Sequence, residues 1–496
     1  MRATPSVLLP FLLLACARAP EPTAAPAPAP APQAAAPAWP PARPLPQRLE
    51  LPQAFREAIA AGTRTAEGRP GPNYWQQWAE YDVAVTVDPA NRRLDGTTRI
   101  VYHNRSPREL DRVWVELAQN LHAPGAPRSE AVEPTQGLEL NRVALNGTAL
   151  RALEDVDDDE PQPGYVVNGT RMFVQLPRPL ASGASVTLDY SFGFTIPQQG
   201  AGGRMGWSED NLVYLAYFHP RVAVFDDVTG WMVDPFLGNA EFYHGFGRYT
   251  YSVDAPAGWI VMGTGTLVNP QETLSDSVIA RLRRAESSDA IVQVVGPGEA
   301  SRATRPGRNG RLVWRFEADS VRDIAVVIAS ESRWDAARTR VGDRDGDGDM
   351  DYARAEAIWR PTAPRWQHAA RYTQFAIDFL SRHMATPYPW PHMTSVEAGG
   401  PQGIIGGGME YPQMTLIGDY TQAGDSALYN VIAHELAHMW VPMIVSTNER
   451  RYGWLDEGMT TYNENQSRKE FFPEPTSERG DRNTYLNFAG TELEAR

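Results

Sequence analysis

The stretch Ala427-Leu428-Tyr429-Asn430-Val431-Ile432-Ala433-His434-Glu435-Leu436-Ala437-His438-Met439-Trp440 carries two histidines four residues apart, with a glutamate directly after the first. Its composition predicts a helix over Ala427 to Val441, ended by Pro442. On a helix, residues four apart lie on one face a turn apart, so both imidazoles can reach one ion. Glu435 is rotated by about 100° from His434, which places it beside such an ion rather than on it. Zinc in hydrolases takes three protein ligands and keeps one position for water. Two histidines therefore demand a third ligand.

Eighteen residues separate His438 from Glu457, in Trp454-Leu455-Asp456-Glu457-Gly458-Met459-Thr460-Thr461-Tyr462. That segment reads as the start of a second helix, and a helix crossing the first would bring Glu457 to the metal. A zinc ion on His434, His438 and Glu457 lowers the pKa of its water, and Glu435 is then placed to take the proton, which is the chemistry of peptide hydrolysis. No histidine follows at the spacing of metzincins, where Ile444 and Val445 stand instead.

Upstream lies Gly407-Gly408-Met409-Glu410-Tyr411. With this motif, H-E-x-x-H and the later glutamate, the chain resembles the aminopeptidase N family of gluzincins, which includes leukotriene hydrolase. The resemblance covers roughly residues 74–496 and is most specific between 400 and 465. It implies a multi-domain α+β protein: an N-terminal antiparallel β-sandwich or saddle, then a thermolysin-like, mainly helical catalytic domain. It also implies that Gly407, Gly408, Met409 and Glu410 bind substrate, Glu410 taking the free α-amine. The expected function is zinc-dependent removal of N-terminal residues from peptides. A thermolysin-like endopeptidase and a catalytically impaired peptide-binding relative are the alternatives. Three departures stand out. Tyr411 replaces an asparagine, and Tyr217 lies where many relatives carry a glutamine. The family's oxyanion-stabilising tyrosine has no counterpart, Tyr462 and Tyr485 being too close in sequence to Glu457, so the catalytic domain is expected to be incomplete.

Outward from the motifs, period-two runs at Tyr81–Val87, Thr98–Tyr102, Val113–Leu117, Tyr249–Val253, Ile260–Thr264 and Ile324–Ile328 predict strands. Asp95-Gly96, Asn146-Gly147 and Asn168-Gly169 are the expected turns. Near residue 362 the pattern changes to a helix over Trp366–Met384, then a short strand at Met393–Val396. The predicted organisation is a signal segment over 1–16, an Ala/Pro-rich linker over 17–70, a β domain over 71–361 and the catalytic domain over 362–496. Asp343, Asp345, Asp347 and Asp349 space like the start of a calcium loop. Position 12 is Arg354, with Glu356 close by, and the loop is expected between domains.

The 496 residues hold 46 basic against 60 acidic side chains, a net charge of −14 that argues against nucleic acid as a partner. The only cysteine, Cys16, ends a short apolar run as Leu13-Leu14-Ala15-Cys16, too short to span a bilayer. This resembles a bacterial lipoprotein signal and predicts lipidation at Cys16, export, and a membrane tether in the cell envelope. No cysteine is left for an internal disulfide.

Overall fold

The computed structural model describes residues 50–155, 162–239, 243–421 and 425–472. Cys16, the signal segment, most of the linker and Tyr485 lie outside them. The structured body begins at Gln53, inside the expected linker. Gln53–Ala60 is a helix, and Arg64 is fixed to Asp227 by paired hydrogen bonds of 2.8 and 2.7 Å. Among the described residues no helix is long and apolar enough to cross a membrane.

The runs at Tyr81–Val87, Thr98–Tyr102 and Tyr249–Val253 become strands with one buried face, whereas Ile260–Gly263 and Val326–Ala329 are buried on both. Trp78–Asp88 pairs antiparallel with Arg93–His103, which pairs with Ser185–Thr195, in a sheet of eight strands. The sheet is not purely antiparallel, because Trp78–Asp88 also runs parallel to Gly247–Pro256. Asn146 and Gly147 both take positive φ between Glu139–Leu145 and Thr148–Ala149, as the two-residue hairpin turn requires. Asp95-Gly96 makes no turn. Gly96 sits within Arg93–His103, where a Cβ would meet Val85 Cγ1 at 2.8 Å and Ala84 O at 2.9 Å. The glycine there serves packing, and the chain reverses earlier, over 89–92.

A six-stranded sheet carries the second half of the chain, in the order Val292–Val295, Arg333–Gly342, Asp351–Trp359, His392–Glu397, Met414–Ile417, Gly408–Tyr411. The expected boundary at 361/362 therefore falls inside one sheet. Asp351–Trp359 pairs in parallel with His392–Glu397, and the crossover between them contains the helix Ala369–His383. The boundary marks where helical spacing begins, and the strands before it, Arg333–Gly342 and Asp351–Trp359, belong by pairing to the second sheet. The acidic loop is likewise not between domains: it is the hairpin tip joining Arg333–Gly342 to Asp351–Trp359.

Three helices pack together beside this sheet: Ala369–His383, the metal helix Asp425–Ala437, and a crossing helix Glu449–Phe471. Tyr429 of the metal helix stacks on Phe471 of the crossing helix with ring centroids 4.4 Å apart, and Tyr372 meets both edge-on. The metal helix ends at Ala437, four residues before the expected Val441, and Met439–Ile444 forms a wider turn containing Pro442. The crossing helix is broken at Tyr452, whose φ and ψ are non-helical.

A buried charge network joins the β domain to the start of the crossing helix. Arg450 Nη2 lies 2.7 Å from Glu116 Oε1, and Arg221 pairs with Asp323 and approaches Glu116. His244 Nε2 lies 3.2 Å from Glu116 Oε2. Burial pushes the His244 imidazole below its ordinary value. Burial alone would raise both carboxylates, but Arg221 holds Asp323 at about 2, and Arg450 holds Glu116 below the ordinary carboxylate range. All three groups are depressed, so each contributes stability that is complete above its unfolded-state pKa and lost as pH falls. The loss should begin below about pH 6.5 with His244 and steepen from about pH 4 downward with the carboxylates. Urea midpoints measured from pH 8 to pH 2.5 should follow that course. A midpoint unchanged between pH 5 and pH 3 would show that the network contributes nothing.

Candidate metal centre and catalytic cavity

His434, in the last turn of the metal helix, and His438, the residue after its end, have ring centroids 5.0 Å apart. One ligand atom each of His434, His438 and Glu457 lies within 4.8 Å of the others, as the sequence spacing predicts. His434 Nε2 is 3.2 Å from Glu457 Oε2, and its Nδ1 is 3.2 Å from Glu464 Oε2. His438 Nδ1 donates to Asp456 Oδ1 at 2.8 Å, with Thr460 Oγ1 3.2 Å away. These outer carboxylates fix each ring so that Nε2 faces the centre. Two imidazole nitrogens and a carboxylate, each ring held from behind, are the donor set of a hydrolytic zinc site. The residues fit the metal.

The electrostatics agree. Burial disfavours charge on His434, yet hydrogen bonds to Glu457 and Glu464 lift it to about 10. Burial likewise opposes charge on His438, and Asp456 lifts it to about 10. The hydrogen bond from His434 lowers Glu457. The carboxylates around both rings thus favour positive charge at this centre.

The edge strand Gly408–Tyr411 lies beside the metal helix and presents alternate residues to opposite sides. Gly408 and Glu410 face a cavity of about 450 Å³ that also contains His434, Glu435, His438, Glu457, Glu464 and Tyr420. Gly408 is required by contact: a Cβ there would lie 2.1 Å from Glu435 Oε1. Glu410 is buried, and one of its oxygens lies within 4.8 Å of an oxygen of Glu435. Met409 and Tyr411 are buried away from the cavity. Tyr411 donates its hydroxyl to Arg204 O and packs on Tyr214 and Tyr217. The asparagine-to-tyrosine departure therefore adds a contact to the β domain. Gly407 does not line the cavity. Tyr217 does not line it either; it stacks on Phe236 within the core. Tyr462 is exposed on the crossing helix.

Sequence reasoning missed Asp456, Thr460, Glu464 and Tyr420. The first three carried a signal: Thr460 follows Asp456 by four residues and Glu464 follows Glu457 by seven, so each pair shares a helix face. Tyr420 lies in a loop with φ of +51°, where no periodicity operates.

The acidic hairpin brings Asp343, Asp345 and Asp347 within 4.8 Å of one another, all exposed. Their carboxylates accept from the loop's own amides: Asp343 from Gly346 at 2.6 Å and Asp345 from Asp347 at 3.2 Å. Asp349 is not part of the cluster. Glu356 does not complete a calcium loop either, because it is buried in its strand, bonded to Arg354 and Thr394.

Residues 368–492 match the Peptidase family M1 domain. Over 177 residues the chain is 36% identical to leukotriene A-4 hydrolase of Xenopus laevis, covering 35% of this chain and 26% of that protein. Over 83 residues it is 37% identical to leucine aminopeptidase 2 of Candida albicans, covering 17% of this chain and 13% of the relative. The chain thus spans about a quarter or less of the length of these curated relatives. Its fold matches a crystal structure of a two-domain M1 zinc metallopeptidase mutant bound to L-tryptophan. That match has a TM-score of 0.52 and 17% identity over 85% of this chain and 78% of the other. The same enzyme's complex with L-arginine aligns at 0.51 and 16% identity, covering 85% of this chain and 77% of the other.

Replacing either outer carboxylate should weaken zinc without removing a ligand. Asp456→Asn and Glu464→Gln should each lower zinc affinity by about 10- to 100-fold in competition with a chromogenic chelator. Wild-type affinity in both variants would refute their role in holding the rings.

Proposed function

We propose, from the premise that this chain belongs to the M1 family of zinc metallopeptidases, that it is an aminopeptidase removing single residues from the free N-termini of peptides. The observation that carries the reading is Glu410: a buried carboxylate on the edge strand, facing the same cavity as Glu435 and the two histidines. A fixed negative charge at that distance selects a substrate whose positive amine lies one residue from the bond to be cut. An endopeptidase gains nothing from it, because the equivalent substrate atom is an uncharged amide.

Zinc held by His434, His438 and Glu457 would polarise the scissile carbonyl and bring the pKa of a coordinated water near neutrality. Glu435, facing the same cavity, would act as the base that takes a proton from the attacking water and passes it to the leaving nitrogen. Gly408 keeps clear the space that the Glu435 carboxylate occupies. The edge strand pairs only with Met414–Ile417 among the described strands, leaving its outer edge for an extended peptide backbone. The proposal extends to an exported, lipid-anchored form through Cys16, supported by the Leu-Leu-Ala-Cys segment.

The deciding assay uses one peptide, free and N-acetylated, with products followed by mass spectrometry. Stepwise loss of single residues from the free form alone is expected; internal cuts in both forms would make the enzyme an endopeptidase. Glu435→Gln should lower kcat by about 10²- to 10⁴-fold while zinc stays bound. Gly408→Ala should lower kcat about 100-fold by displacing Glu435, and wild-type turnover in that variant would mean the cavity yields where the geometry says it cannot.

A further inference from the structure

Three arginines are buried among the described residues, and two of them hold a carboxylate: Arg221 pairs with Asp323, and Arg360 Nη2 lies 2.7 Å from Glu397 Oε1. Arg322 holds none. Its guanidinium donates only to main-chain carbonyls, from Nε to Met443 at 3.0 Å, from Nη1 to His244 at 2.8 Å and from Nη2 to Ile444 at 3.2 Å. A guanidinium carries five N–H donors, so one on each Nη is left without a partner among the described residues. Burial would lower Arg221 as well, but Asp323 and Glu116 lift it above its ordinary value. At Arg322 burial prevails, and Glu449 acts on it only through space.

Arg322 lines a cavity of about 480 Å³ that shares no lining residue with the catalytic one. The wall is rich in aromatic rings, among them Tyr74, Trp75, Trp78, Phe225, Tyr243 and Phe246, and the Phe246 ring lies 3.9 Å from the Arg322 guanidinium. The two acids of the wall are already matched, Asp227 by Arg64 and Asp226 by Tyr243 and Thr229. Tyr102 on the same wall has a buried hydroxyl, and Arg221 a buried Nε, with no hydrogen-bond partner among the described residues. The charge on this wall that is bonded to no opposite charge is therefore positive.

We propose that this second cavity binds a small aromatic carboxylate, its ring among the aromatic side chains and its acid group on the remaining Nη donors of Arg322. A carboxylate has the acceptors that a guanidinium lacks, and charge-assisted bonds between the two are the strong kind. Sites for small molecules are cavities of this size, mostly apolar, with a few polar groups that fix orientation. A cationic ligand finds both acids already taken, and a neutral one leaves the Arg322 donors unmet. Ile444, Val445 and Ser446 complete the wall, so the site borders the turn that follows the metal helix.

The test uses full-length, zinc-loaded protein with the metal capped by acetohydroxamate, so that no probe can reach the zinc. Calorimetry compares naphthoate, naphthylmethanol and naphthylmethylammonium, three probes with one ring system and different charge. Naphthoate should bind about tenfold or more tightly than the alcohol, and the ammonium more weakly than either. Arg322→Gln should remove that preference and leave the alcohol's affinity as in wild type. Gly245→Phe is the second variant, because Gly245 is an exposed residue of the cavity wall where a Cβ meets nothing within 4 Å. A ring there should weaken naphthoate and the alcohol alike, by about tenfold. Equal binding of acid and alcohol by wild type overturns the proposal, and so does no binding of naphthoate or tighter binding of the ammonium. A preference for the acid that survives Arg322→Gln overturns it as well. Should Arg322→Gln fail to fold, Gly245→Phe decides: naphthoate affinity unchanged in that variant puts the ligand elsewhere and removes the site.

Discussion

The hydrogen bond from His438 to Asp456 is the contact on which the site depends. It is fully buried and ties the end of the metal helix to the crossing helix that follows it, so losing one partner strands the other in a dry interior. Asp456 immediately precedes Glu457, so the bond that orients the second histidine also places the third ligand. Further along, Tyr429 bonds Ser467 Oγ at 2.6 Å and stacks on Phe471, fixing the same two helices about three turns beyond Asp456. Two anchors on one helix pair determine both angle and register. The metal then meets a preformed geometry rather than having to assemble one.

The edge strand is held from the other side by the β domain. Thr264 Oγ1 donates to Pro412 O at 2.8 Å, Gly265 N donates to Gln413 Oε1 at 3.1 Å, and Tyr411 reaches Arg204 O. These contacts set how far Gly408 and Glu410 stand from the metal helix, and Gly408 already leaves Glu435 no slack. The β domain therefore fixes the position of Gly408 and Glu410 against the metal helix without lining the cavity.

What the sequence made legible follows from how local each signal was. His434, Glu435 and His438 needed only the geometry of one helix, and Glu457 needed one crossing. Glu410 needed the resemblance, because nothing in a four-residue strand announces a carboxylate's partner. The sheet boundary was not legible: Asp351–Trp359 is buried on both faces over its last five residues, and only its parallel pairing with His392–Glu397 assigns it to the second sheet. Asp95-Gly96 has a turn's composition, but the contact of Gly96 with the neighbouring strand decided its place. Asp343, Asp345 and Asp347 do gather, but the hairpin tip over 343–350 uses them for its own amides, while Glu356 is drawn into the sheet by Arg354 and Thr394. Spacing alone does not report that competition.

Glu449 shows why some juxtapositions escape a linear reading altogether. It lies seven residues before Asp456, nearly two turns and about 10 Å along the axis of an unbroken helix. Its approach depends on the break at Tyr452 and on Arg450, whose bond to Glu116 draws the first turn toward the β domain. Arg322 supports the same region from beneath, donating to the carbonyls of Met443 and Ile444 while its guanidinium stacks 3.9 Å from the Phe246 ring. Burial lowers Arg322 to about 10, which still leaves it charged at neutral pH. Two buried cations from separate domains thus hold the turn after the metal helix and the first turn of the crossing helix. One oxygen each of Glu410, Glu449 and Asp456 comes within 4.8 Å of the others because the chain between the metal ligands is pinned to the β domain, not because the motif requires it.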